Sequence, residues 1–89
     1  MGNGHRTFGE VIQESVRGCG KKSTEQIADE VGVGYSLFCR QINPDDTGAR
    51  FPAEHLIPLM RATGDYSPLQ HLATRTGHLL INIKKLRVK

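Results

Sequence analysis

The stretch Thr24–Ile42, TEQIADEVGVGYSLFCRQI, decides how the chain folds. Ser23, just before it, opens an S-x-x-Q capping box with Gln26, in which each side chain satisfies a backbone N–H that a helix start leaves free. Ile27, Ala28 and Val31 then fall on one face, and the spacing predicts a short helix. Gly32 stops it. A turn between crossed helices often needs positive φ, which glycine reaches without a clash, and Val33 can plug the corner behind it. A second helix follows from about Tyr35, with Phe38 and Ile42 inward at i, i+4 and Tyr35, Ser36, Cys39 and Arg40 mostly on the other side. Ala28 matters for its smallness, because helices joined by a three-residue turn cross too closely for a longer side chain there. The small residue, the glycine four positions on, the apolar residue after it and the polar outward face together predict a helix-turn-helix. The plainer alternative is a helical hairpin whose glycine is only a C-cap.

The rest of the chain supplies the scaffold for this pair. Its 89 residues make one domain with a single small core. Met1–Arg6 is polar and frayed in this reading; Thr7 and Glu10 form a second capping box, and Phe8, Val11, Ile12 and Val16 line a first helix ending near Arg17. Gly18–Lys22 is a turn. Its GCGKKS string resembles a phosphate loop, but the first glycine of that motif would fall on Ser15 and no strand precedes it. After the central pair, Asn43-Pro44-Asp45-Asp46-Thr47-Gly48 carries turn chemistry. A fourth helix is expected from Pro52 to a stop at Gly64, with Leu56, Ile57, Leu59 and Met60 as its apolar positions. Pro58 cannot donate to the Glu54 carbonyl, so a kink or an irregular first turn is predicted. Ser67 and Pro68 read as N-cap and N1 of a fifth helix, with Leu69, Leu72 and Ala73 inside and Gly77 as its stop. Residues 78–89 change character: Ile81 and Ile83 alternate with Asn82 and Lys84, which predicts a strand or an extended or disordered basic arm, able to pair only across a dimer or with another sheet edge. The expected architecture is all-α, a compact bundle of about five short helices over residues 1–77, with that arm at 78–89.

This order of elements resembles the lambda-repressor-like regulators of phages and bacteria. More narrowly, Gly34–Asp46, GYSLFCRQINPDD, and Phe51–Asp65, FPAEHLIPLMRATGD, are similar to the CII-type regulatory proteins of temperate phages, with both the N-P-D-D turn and the R-A-T-G-D helix end matching. The resemblance covers about residues 6–77. It implies a phage or prophage transcription regulator that binds double-stranded operator DNA, as a homodimer, with the helix at about 35–42 in the major groove. One departure bears on register: the position three after Phe38, usually apolar in the wider group, is Gln41, with Ile42 next to it.

In a helix-turn-helix the N-terminal half of the second helix meets base edges and the start of the first lies near phosphates. Tyr35, Ser36, Cys39 and Arg40 are therefore the expected base-facing residues, with Thr24, Gln26, Lys21 and Lys22 at the backbone. Arg40 is the strongest candidate for guanine, whose O6 and N7 a guanidinium can take together. The net charge of +3 is less helpful than it looks. Lys84, Lys85, Arg87 and Lys89 supply four of the 12 basic side chains, which leaves eight against all 9 acids in the rest of the chain. Only a local cluster of Arg17, Lys21, Lys22 and Arg40 could draw DNA to the body. A helical protein-interaction module is the alternative function.

Chemistry finds little support. His5, His55, His71 and His78 fall in separate elements and form no Cys/His pair at metal-ligand spacing; no catalytic, metal or cofactor site and no small-molecule substrate is expected. Cys19 and Cys39 are too few for a disulfide framework, though a single bridge is open. No apolar run approaches the roughly 20 residues of a membrane span, and a cytoplasmic location follows as the expectation.

Overall fold

A computed structural model describes residues 6–85. It contains five α-helices: α1 (Phe8–Arg17), α2 (Thr24–Val31), α3 (Tyr35–Gln41), α4 (Leu56–Thr63) and α5 (Ser67–Arg75), with short 3-10 turns at Ala53–His55 and Ile83–Lys85. The chain is all-α, with no strand among the described residues. Both capping boxes form. The Thr7 hydroxyl accepts the Glu10 N–H at 3.1 Å while the Glu10 carboxylate accepts the Thr7 N–H at 2.8 Å. Ser23 and Gln26 exchange the same pair of bonds at 3.1 and 2.8 Å. Two orphan donors are thereby satisfied at each helix start, which is why these short segments begin where they do.

Gly32 ends α2 at φ +92°, and its N–H and that of Val33 both reach the Ala28 carbonyl, at 2.9 and 3.0 Å. The turn thus closes the helix and redirects the chain into α3, with the Ala28 and Asp29 carbonyls satisfied at the corner. α2 packs against both α3 and α4, and α1 against α5. The core is Ile12 and Val16 of α1, Ile27, Ala28 and Val31 of α2, Phe38 and Ile42, and Leu59 and Ala62 of α4; Phe8, Val33, Leu56, Cys19 and Phe51 are half-buried against it. Val11 and Met60 are buried as well. Phe51, a loop residue, meets Phe38 edge-on with ring centroids 6.5 Å apart, a favourable geometry for the two quadrupoles. Ile42, not Gln41, takes the inward position after Phe38, which settles the register of α3.

Four expectations need adjusting or completing. Pro58 sits in the first turn of α4, behind the 3-10 turn at Ala53–His55; the irregular start absorbs the missing N–H, as its position required. Ser67 is not the N-cap of α5 but lies inside it. Tyr66 is the N-cap, with no side-chain bond of its own, and Asp65 just before it accepts the Ser67 N–H at 2.9 Å and its hydroxyl at 2.6 Å, because an aspartate two residues upstream reaches both donors at once. Leu69 and Leu72, expected in the core, are 36% and 39% exposed, because Pro68 is the buried residue of α5 and the groove that Leu69 lines with the arm is open. Finally, residues 78–82 have no regular structure and no strand forms: the Asn82 side chain accepts the Lys84 N–H at 2.9 Å, a local turn that breaks the two-residue alternation. Met1–His5, expected to be frayed, and the basic residues Arg87 and Lys89 lie outside the described residues.

Candidate nucleic-acid interface

α3 is anchored by Phe38, which is fully buried, and by Ile42 at its C-cap. At 100° per residue, the direction opposite Phe38 is shared by Ser36 and Arg40; Tyr35 and Cys39 form one shoulder of the helix, Leu37 and Gln41 the other. The burial pattern follows this wheel. Tyr35, Ser36 and Arg40 are exposed and Cys39 is half-buried. Gly34 supplies the N-cap without a side chain, so nothing hides the first turn.

Tyr35 and Cys39 stand one turn apart, and the hydrogen bond to the Cys39 sulfur, followed by electrostatic repulsion between the two groups in their anionic forms, pushes the Tyr35 phenol above its ordinary pKa. The phenol therefore remains a neutral donor at any physiological pH. Both cysteines are free, so no bridge links Cys39 to Cys19.

Arg40 is not the solitary fork that the sequence suggests. Its Nε donates to Asp46 Oδ2 at 2.9 Å, and its Nη2 stands 3.5 Å from Oδ1. The bond to Asp46 raises the arginine further above its normal value and, with the Gly48 N–H on Oδ1 at 2.9 Å, holds the aspartate below the usual carboxylate range. The loop after α3 turns back through two side-chain bonds, Asp45 N–H to Asn43 Oδ1 at 3.0 Å and Gly48 N–H to Asp46, and this brings Asp46 beside the helix it has just left. Asp46 was missed among the site residues. The available signal was the cluster of turn-formers directly behind Arg40, which implies a chain reversal within side-chain reach.

The residues expected at the backbone differ in availability. Thr24 and Gln26 lie in the first turn of α2, but Gln26 spends its carbonyl oxygen on the Ser23 N–H, which leaves its amide nitrogen to face outward. Lys22 pairs with Glu30 across α2 at 2.7 Å, whereas Lys21 is exposed. Leu37, 47% exposed on the second shoulder of α3, is a further surface residue that the i, i+4 reading passed over.

No group of three or more His, Cys, Asp or Glu among the described residues is placed to hold a metal, and no helix there is long and apolar enough to cross a membrane. Apolar surface is also exposed outside α3. Tyr66 and Leu69 of the α5 region, with Leu80, Ile81 and Ile83 of the arm, line an open groove of about 470 Å³.

No curated protein and no solved structure shows significant similarity to the chain. A family model described as phage regulatory protein CII (CP76) matches residues 8–88, so the match runs past residue 77, where the expected resemblance ended, and into the arm. With nearly its whole length matched, the chain belongs to the phage regulatory protein CII family.

Proposed function

We propose that the chain is a sequence-specific transcription regulator of phage or prophage origin that places α3, about residues 35–42, in the major groove of a double-stranded operator. The observation that carries this reading is the division of α3: Phe38 and Ile42 are locked into the core while the face bearing Ser36 and Arg40, flanked by Tyr35, is left uncovered at the mouth of the α2–α3 turn. Tyr35, Ser36 and Arg40, with Cys39 at the edge, meet base edges. Thr24, the Gln26 amide and Lys21 meet phosphates, where the N–H groups of the first turn of α2 add their own attraction. Lys22 joins them only by giving up Glu30.

The protein works as a homodimer in the cytoplasm of the host. Support for the second copy is the apolar groove between α5 and the arm, with Leu72 and Leu79 exposed as well. A two-fold pair of α3 helices would read half-sites separated by about one helical turn of DNA.

Selection of duplexes from a random pool, followed by a salt titration of the enriched sequence, tests the reading. The expected result is an enriched motif with two-fold symmetry whose binding weakens linearly in log salt. The exposed Leu37 beside Tyr35 and the near-neutral body favour one other reading, a helical protein-interaction module. An empty selection at low salt would establish that alternative in its place.

A further inference from the structure

The structure carries one further assignment, resting on the reading of α3 as a DNA-recognition helix. We infer that Asp46 is a positioning residue for Arg40: it fixes one edge of the guanidinium so that the other edge is aimed outward to take the two acceptors of a guanine.

A guanidinium has five N–H groups in a rigid plane and offers two forked edges. Asp46 occupies the edge formed by Nε and Nη2, at 2.9 and 3.5 Å. The N–H groups of Nη1, and the second one of Nη2, have no partner among the described residues and form the opposite fork. The burial is asymmetric in the way a support requires: the Asp46 side chain is 24% exposed and the Arg40 side chain 54%. Asp46 is in turn held from the backbone, through the Gly48 N–H on Oδ1 at 2.9 Å. A long side chain that would otherwise sample many rotamers is thus presented in one orientation, from a residue that points directly away from the core.

Charge decides between this role and a simple phosphate contact. Non-specific attraction to DNA follows the number of uncompensated cations, and an arginine paired with an aspartate adds little net charge. The carboxylate would in addition repel a phosphate brought close to the pair. Directional donors lose nothing by the pairing, so what Asp46 subtracts from general affinity it leaves intact, and better oriented, for base reading.

Gly48 completes the arrangement. A Cβ there would lie 2.9 Å from Arg40 Nη2 and 3.4 Å from Asp46 Oδ1. The nearer atom is the free end of a flexible side chain, so Gly48→Ala displaces the guanidinium from its support without altering any charge and without touching the core.

The experiment compares the full chain with Arg40→Ala, Asp46→Ala, Asp46→Glu and Gly48→Ala on the selected operator, on every single-base variant of it and on random-sequence DNA, at several salt concentrations. Circular dichroism and the thermal midpoint report folding; should Asp46→Ala unfold, Gly48→Ala carries the same test. The expected result is that Arg40→Ala loses guanine preference at one base pair by roughly tenfold or more. Asp46→Ala and Gly48→Ala lose several-fold at that same pair. Asp46→Ala should also bind random DNA more tightly, with a steeper salt dependence by roughly one counterion, while Asp46→Glu restores part of the preference. A single-base profile unchanged in Asp46→Ala and Gly48→Ala overturns the assignment and leaves DNA binding standing. So does a uniform loss across all variants in Arg40→Ala. Failure of the unaltered chain to enrich any duplex overturns the DNA reading itself, and this assignment with it.

Discussion

The α2–α3 crossing and the α5–arm region are built from the same kinds of apolar residue at the same kinds of spacing, yet they end in opposite states. At the crossing, Ile27, Ala28 and Phe38 are almost wholly removed from water. In the other region Leu72 is 39% and Leu79 86% exposed. The difference lies in what each face meets. α2 has α3 on one side and α4 on another, so every apolar side chain of the crossing finds a neighbour within the chain. α5 meets α1 and buries Pro68, but leaves Leu69 and Leu72 partly open to solvent. Apolar periodicity tells which side of a helix avoids water; it does not tell whether the same molecule provides the cover.

The sharpest way to break the comparison is at its buried pole. Phe38→Ala should cost about 3–5 kcal/mol, the usual loss for a fully buried aromatic, and lower the thermal midpoint accordingly. A cost below about 1 kcal/mol would mean that the crossing is not the structural centre. Ala28→Leu comes next: overpacking a tight crossing should cost about 1–3 kcal/mol or more, and an unchanged midpoint would refute the close approach of α2 and α3. At the exposed pole the expected effect moves from stability to assembly. Leu72→Ser should change stability by no more than about 0.5 kcal/mol at high dilution. If the arm holds two copies together, deleting residues 78–89 should convert a dimer into a monomer in sedimentation while the helical signal stays. An unchanged mass would leave the arm as a tail.

The smallest effect is electrostatic. Asp65 is held below the ordinary carboxylate range chiefly by the Ser67 hydroxyl, and Asp46 chiefly by Arg40. A carboxyl whose pKa is lower in the folded chain stabilises that chain above the unfolded value, about 3.9, and the contribution disappears as pH falls through the folded pKa. Stability should therefore decline as pH drops below about 4. Asp65→Asn and Asp46→Asn should each make that decline shallower in thermal melts.

What could be read from the sequence was local or internally complete. The two capping boxes, the stop at Gly32 and the inward set of α2 and α3 each depend on residues within one turn or two, and all of them formed. The core members passed over were Ala62 and Pro68, whose size and type give periodicity little weight, and Phe51, which packs from a loop. In the candidate site, the outward exposure of Tyr35, Ser36 and Arg40 was legible because Phe38 fixes the helix rotation. The link from Arg40 to Asp46 was not, because it spans a loop whose path depends on several weak side-chain bonds. The same holds for Lys22 and Glu30, which lie eight residues apart and meet only because the turn before α2 folds back on it.

The neighbourhood of α1 and α5 has a consequence for the order in which the molecule assembles. These are the first and last helices, and their contact must wait for the whole stretch between Arg17 and Ser67 to be drawn together, whereas α2 and α3 meet across three residues. Contacts close in sequence form early because little chain freedom is lost before they are rewarded. The α2–α3 pair should therefore be present in the folding transition state, and α5 should dock last. In hydrogen exchange under native conditions, the amides of α5 should then open at lower cost than those of α2, giving a regulator whose α2–α3 pair stays intact while its outer helix breathes.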